Sequence, residues 1–195
     1  MRVDLTPDSW LDLEPAFLPP DEAARAFEQV RGELSPSWEQ RDIVIFGRRI
    51  PQPRLVAWSG ALPYRYSGQT LEPRAPTPAV AGLQARASAF AGVAFNHVLA
   101  NLYRDGRDSM GMHADDEREL GPAPVVGTLS LGATRRFVIV PRRQSAGARR
   151  TLELPGGSLL IMGGACQAEL RHGLPRDARV AAARISLTFR VVVGA

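Results

Sequence analysis

The chain has 195 residues, 45% of them hydrophobic and 23% charged, a composition that suits one globular domain with a sizeable core. The single cysteine, Cys166, excludes an intrachain disulfide. Residues 1–10 carry Asp4 and Asp8 and no apolar run of the signal-peptide or membrane-span kind, so a cytoplasmic protein that enters no membrane is expected. All 24 basic residues are Arg against 20 acidic residues, for a net charge of +4. That usage reads first as codon bias in a GC-rich, bacterial-type genome. The planar guanidinium fork also suits phosphate contacts, which admits nucleic acid as a partner.

In chain order, Pro19-Pro20-Asp21 opens a helix over Glu22 to Leu34, with Ala23, Ala26, Phe27, Val30 and Leu34 on one face and Ser35-Pro36 ending it. From Asp42 to Gly68 short apolar pieces broken by Gly and Pro read as strands or extended loops: Ile43–Phe46, Leu55–Trp58 and Tyr64–Tyr66. Thr77-Pro78 starts a second helix to about Ala91, with Val80, Leu83, Ala87 and Phe90 toward the core. Beyond it the pattern is β: His97–Tyr103, Val125–Leu131, Arg136–Val140, Thr151–Leu154, Ser158–Met162, Glu169–His172 and Arg184–Val193. Arg142–Arg150, basic and rich in small residues, reads as a loop. Two helices followed by about seven strands predict an α+β domain whose body is a sandwich or jelly roll.

His113-Ala114-Asp115 places an imidazole and a carboxylate two residues apart, so that on a strand or at its end both side chains point the same way. His172, on a later predicted strand, is the candidate third ligand of a two-His, one-carboxylate set that leaves coordination positions open. Alone, His-x-Asp also describes an exposed polar pair. His97, between apolar neighbours, reads as structural. Along Arg184–Arg190 the residues 184, 186, 188 and 190 share one face and Ile185, Leu187 and Phe189 the other. The polar face is either a solvated outer surface or a clamp for a dicarboxylate inside the fold, since a buried guanidinium needs an anionic partner.

Asn101-Leu102-Tyr103, His113-Ala114-Asp115, His172-Gly173-Leu174-Pro175 and Arg184–Arg190 occur in the order and approximate spacing of the AlkB family of alkylation-repair dioxygenases. Further matches are Ile45-Phe46-Gly47, Tyr64–Gly68, Asp115–Leu120, Leu129–Gly132 and Gly157-Ser158-Leu159. Over about residues 40–193 the chain resembles this family, above all the branch that repairs double-stranded DNA; the stretch before Arg41 carries little of the likeness.

The resemblance implies a double-stranded β-helix with two N-terminal helices packed on it, in one domain over 1–195. Residues 1–95 would hold the helices and a nucleotide-recognition segment, and 96–195 the catalytic core. It implies Fe(II) on His113, Asp115 and His172, and 2-oxoglutarate as co-substrate near Asn101, Tyr103, Arg184, Ser186 and Arg190, with O2 as oxidant. It further implies substrate contacts at Phe46, Arg54, Tyr64, Tyr66 and Glu117. Tyr66 is the stronger stacking candidate, and Phe46 divides evenly between a wedge filling the gap in a duplex and a plain core residue. Arg48, Arg49 and Arg54 are candidate phosphate contacts, though each taken singly reads first as a solvated surface arginine. The expected reaction is oxidative dealkylation of bases such as 1-methyladenine and 3-methylcytosine in DNA by a monomer. The alternatives are the same chemistry on RNA or protein, and a cupin-like module that binds metal without turnover. Two positions depart from the family: Ser186 stands where Asn is usual, and Leu170 where Trp is common.

Overall fold

A computed structural model describes every residue except Met1, Phe46, Ser67, 144–148 and 194–195, and for Ile45 the backbone only. The chain opens with two strands that sequence patterning does not predict, β1 (Arg2–Asp4) and β2 (Ser9–Glu14). Helix α1 (Pro20–Glu33) follows, with proline in its first turn and Asp21 and Glu22 placed favourably at the positive end of its dipole. Next come the hairpin β3 (Asp42–Ile45) and β4 (Arg48–Pro51), strand β5 (Leu55–Gly60), and the hairpin β6 (Tyr64–Tyr66) and β7 (Gln69–Leu71). Helix α2 (Pro78–Ala91) stops at Gly92, whose φ of 64° closes the last turn in a conformation that costs glycine nothing. The remainder is β8 (His97–Tyr103), β9 (Met110–His113), β10 (Val126–Gly132), β11 (Arg135–Pro141), β12 (Arg150–Leu154) and β13 (Leu159–Gly164), then the four-residue α3 (Cys166–Glu169), β14 (Leu170–Leu174) and β15 (Arg184–Arg190).

These strands form a seven-stranded sheet, β1-β2-β13-β10-β15-β8-β5, and a four-stranded sheet, β12-β11-β14-β9. Together they make the double-stranded β-helix expected from the sequence. Alternation along the central strands divides the large sheet into two faces. Val98, Ala100, Leu102, Leu129, Leu131, Ile185, Leu187 and Phe189 point away from the small sheet and pack with Ala23, Ala26, Val30, Val80, Leu83 and Ala87 of the two helices. The opposite face looks toward the small sheet and carries the polar residues of β8, β10 and β15.

Phe90 departs from the expected core stripe. It is 41% exposed and meets Phe17 edge-on with ring centres 5.6 Å apart. Leu170 is buried with Leu11, Phe137, Leu160 and Met162. The loop expected over Arg142–Arg150 lies partly outside the described residues.

His97 is structural, as its neighbours suggest. It is buried, edge-on to Tyr64 at 4.8 Å, and neither ring nitrogen has a partner among the described residues. Burial, reinforced by the charge of Arg190, lowers its pKa from 6.5 to about 3. The fold therefore holds His97 neutral, whereas the unfolded chain takes up a proton below pH 6.5. The resulting loss of stability begins there and grows as the pH falls toward 3. His97→Phe should reduce the drop in urea-unfolding free energy between pH ~7 and ~5; an undiminished drop would place the acid sensitivity elsewhere.

Candidate active site

His113 is the last residue of β9 and pairs directly with His172 on β14. Their rings sit 4.4 Å apart, edge to face. The approach depends on Gly173, where a Cβ would lie 2.9 Å from Met112 Sδ and 3.0 Å from the Met110 carbonyl oxygen. The His113 Nδ1 is 3.0 Å from the Gly111 carbonyl oxygen. A carbonyl only accepts, so Nδ1 carries the hydrogen and the lone pair lies on Nε2.

Asp115 follows two residues later in the loop after β9 and is 1% exposed. Three contacts fix it. The Gln167 side-chain oxygen accepts its backbone N–H at 2.9 Å, Arg190 Nη2 donates to its Oδ1 at 2.7 Å, and His172 Nε2 lies 3.7 Å from its Oδ2. Oδ2 has no hydrogen-bond partner among the described residues. One ligand atom from each of His113, Asp115 and His172 falls within 4.8 Å of the others, the only such His/Cys/Asp/Glu group among the described residues.

The protonation states suit a cation. Burial raises the Asp115 pKa, but the charges of Arg190, His172 and His113 outweigh it and hold the carboxyl at about 2. Burial, then the charges of His113 and Arg190, lower His172 to about 3 against the opposing pull of Asp115. A carboxylate and two imidazoles of this kind, with an orphaned buried carboxylate oxygen among them, fit a divalent metal such as Fe(II).

Beside the triad, a narrow cavity of about 30 Å³ opens between the sheets. Asn101, Tyr103, Thr128, Arg184, Ser186, Thr188 and Arg190 form its large-sheet wall, and His113, Phe137 and His172 its small-sheet wall. Arg184 and Arg190 are 1% and 2% exposed, which rules out a solvated outer face for this side of β15. Arg184 Nη2 donates to Ser130 Oγ at 2.8 Å, and its carbon centre sits 5.4 Å from the Tyr103 ring. Burial lowers the Arg184 pKa to about 10. Arg184 Nε and Arg190 Nε and Nη1 are buried without acceptors among the described residues. Buried guanidinium donors of this kind on one wall of a cavity suit an anionic ligand. Ser186 lies directly across the strand pair from Asn101.

The residues expected to meet substrate are placed unevenly. Tyr64 is fully buried and Tyr66 is 7% exposed, so the Tyr64 ring does not offer a face for stacking here. Arg190 lies 5.8 Å from the Tyr64 ring and 5.9 Å from the Tyr66 ring, which links this pair to the triad. Glu117 is near Tyr64 and Asp115; burial and the Asp115 charge push its pKa up, against a smaller pull from Arg190. Phe46 lies outside the described residues. On the β3–β4 hairpin Val44 is 68% and Ile50 41% exposed, and Arg48 and Arg49 are exposed beside them. Arg54 departs from the expectation of a phosphate contact: it is 6% exposed because its guanidinium is occupied by Asn101, Ser109 and Tyr66. Gln167 escaped sequence reasoning altogether, since a glutamine in a four-residue helix carries no periodic or motif signal.

The 2OG-Fe(II) oxygenase superfamily profile matches residues 11–190. The chain belongs to that superfamily. It is a 2-oxoglutarate-dependent dioxygenase, and its relatives are AlkB homologues. Alpha-ketoglutarate-dependent dioxygenase alkB homolog 3 of Rattus norvegicus is 39% identical over 201 residues, which cover 98% of this chain and 68% of that protein. DNA oxidative demethylase ALKBH2 of Homo sapiens is 38% identical over 161 residues, 77% of this chain and 61% of that protein. The solved structure of OsALKBH1 agrees with a TM-score of 0.69 over 97% of this chain and 99% of that one; at 18% identity the agreement concerns the fold. The family match starts at residue 11, well before the point near residue 40 where the motif likeness begins. That match takes in most of β2, which is hydrogen-bonded to β13 in the large sheet.

Proposed function

We propose that this oxygenase removes alkyl groups from N-alkylated bases in DNA, with Fe(II) held by His113, Asp115 and His172 and 2-oxoglutarate in the adjoining cavity. The observation that carries the reading is the close triad opening onto a cavity lined by buried guanidinium donors without acceptors. The DNA half rests on the named activity of ALKBH2 and on the exposed Val44, Ile50, Arg48 and Arg49 of the β3–β4 hairpin. Iron with 2-oxoglutarate and O2 supplies the oxidising power to hydroxylate an N-alkyl carbon, yielding succinate, carbon dioxide, an aldehyde and the restored base.

The protein's residues bind, orient and exclude water. The neutral His172 and ionised Asp115 present lone pairs without prior proton loss. Phe137, stacked on His172 with ring centres 5.3 Å apart, holds that imidazole in plane and closes the small-sheet wall. Arg184, kept in place by Ser130, receives one carboxylate of the co-substrate, and Tyr103 and Asn101 hydrogen-bond it. Arg190 has two tasks, holding Asp115 and offering its remaining donors to the cavity. Tyr66 borders the base site, and Glu117, its pKa raised, reads the edge of the alkylated base.

Gln167 supports the metal through the Asp115 backbone. Gln167→Leu should weaken Mn(II) or Fe(II) binding about 10–100-fold, the usual cost of losing a group that orients a ligand. Competition calorimetry against a chelator checks this, and unchanged affinity would remove Gln167 from the metal's support.

The substrate assignment is tested with matched DNA and RNA strands bearing one 3-methylcytosine, followed by mass spectrometry under single-turnover conditions. Faster methyl loss from DNA is expected. Faster loss from RNA would move the substrate to that polymer, and succinate formation without loss from either would point to a protein side chain.

A further inference from the structure

Arg54 stands just before β5 and is 6% exposed, yet none of its hydrogen-bond acceptors is an anion. Its Nε donates to the side-chain oxygen of Asn101 at 2.9 Å, Nη1 reaches the Ser109 carbonyl at 3.4 Å, and Nη2 reaches the Tyr66 hydroxyl at 3.5 Å. Asn101 is 1% exposed and lines the cavity from β8. Backbone pairing keeps the two together, because Val56, two residues after Arg54, lies opposite Asn101.

A carboxamide is two-faced: its oxygen accepts and its NH2 donates. A guanidinium has only donors, so Arg54 decides which way Asn101 turns. With the oxygen held at Arg54, the amide offers its hydrogens to the cavity; in the flipped state the oxygen would face an incoming carboxylate and two N–H groups would face a cation. Both consequences of the flip are repulsive. We propose that Arg54 is a positioning residue for the dicarboxylate co-substrate, acting through Asn101, and that its contact with Tyr66 ties this orientation to the base pocket. The inference rests on the proposed function and deepens it by assigning a third buried arginine to the 2-oxoglutarate site. The short Ser186 opposite Asn101 adds weight to the amide, since a serine reaches less far into the cavity than a second carboxamide would.

The test is calorimetric titration of 2-oxoglutarate into Mn(II)-loaded protein: wild type, Arg54→Met, Arg54→Lys, Asn101→Ala and the Arg54→Met/Asn101→Ala double variant. Arg54→Met should weaken 2-oxoglutarate binding about tenfold or more, the order expected when a hydrogen bond to a charged group is lost. Mn(II) affinity should hold, and Arg54→Lys should recover part of the loss. The double variant should bind no more weakly than Asn101→Ala alone, because one residue acts through the other. Co-substrate affinity unchanged in Arg54→Met, or effects that simply add, would overturn the proposal. So would a loss confined to a 3-methylcytosine DNA strand with a shallower salt dependence, which is the mark of a phosphate contact. If Arg54→Met fails to fold, Arg54→Lys with the same strand-binding control decides between the two roles. Wild-type protein that takes up Mn(II) but no 2-oxoglutarate would instead refute the underlying function.

Discussion

Arg190→Ala is expected to destabilise the metal-free protein by about 3–5 kcal/mol, the cost of removing one partner of a buried ion pair. Arg190 and Asp115 have side chains 2% and 1% exposed, and among the described residues no other cation donates to that carboxylate, so the variant strands a buried negative charge. A divalent metal on Asp115 supplies the missing positive charge. The loss in melting temperature should therefore shrink when Mn(II) is added, and the 2-oxoglutarate KM should rise sharply because the cavity also loses donors. Thermal melts with and without Mn(II), together with succinate assays, check both parts. Equal destabilisation in the two states would mean that the Asp115 carboxylate and the metal do not share a site, and an unchanged KM would remove Arg190 from co-substrate binding.

His172→Ala should behave in the opposite way, with function lost and fold kept. Removing a ligand costs more metal affinity than the roughly 10–100-fold penalty for removing a supporting group, so succinate formation should fall to background. The vacated space beside Phe137 costs about 0.5–3 kcal/mol, within the 5–15 kcal/mol stability of an ordinary domain. Circular dichroism and Mn(II) titration separate the two effects. Retained turnover would overturn the triad, and loss of the native spectrum would show that the ring serves chiefly as core.

The parts of this molecule that depend on local rules were legible in its sequence. The two-residue period of β15 separates Ile185, Leu187 and Phe189 from Arg184, Ser186, Thr188 and Arg190, and each set lies on the side it implies. Proline-led starts located both long helices to within two residues. What depends on pairing between distant segments was not legible. Strands β1 and β2 are held by β13, far along the chain, and nothing in Ser9–Glu14 announces that partner. Phe90 lies on the expected stripe of α2, yet it meets the Phe17 ring at the surface. Arg54 looks like one more surface arginine until the register of β5 on β8 brings it to Asn101. His113 and His172 each carried a hint of metal chemistry, but their adjacency exists only through the β9–β14 pairing.

The most direct test of the account is the stoichiometry of one reaction. Iron-loaded protein, 2-oxoglutarate, O2 and a DNA strand with one 3-methylcytosine are mixed, and methyl loss and succinate are measured together. One succinate per methyl group removed, with neither product formed when iron or 2-oxoglutarate is withheld, is the predicted result. Methyl loss that proceeds without 2-oxoglutarate, or folded and iron-loaded protein that yields neither product, would contradict it.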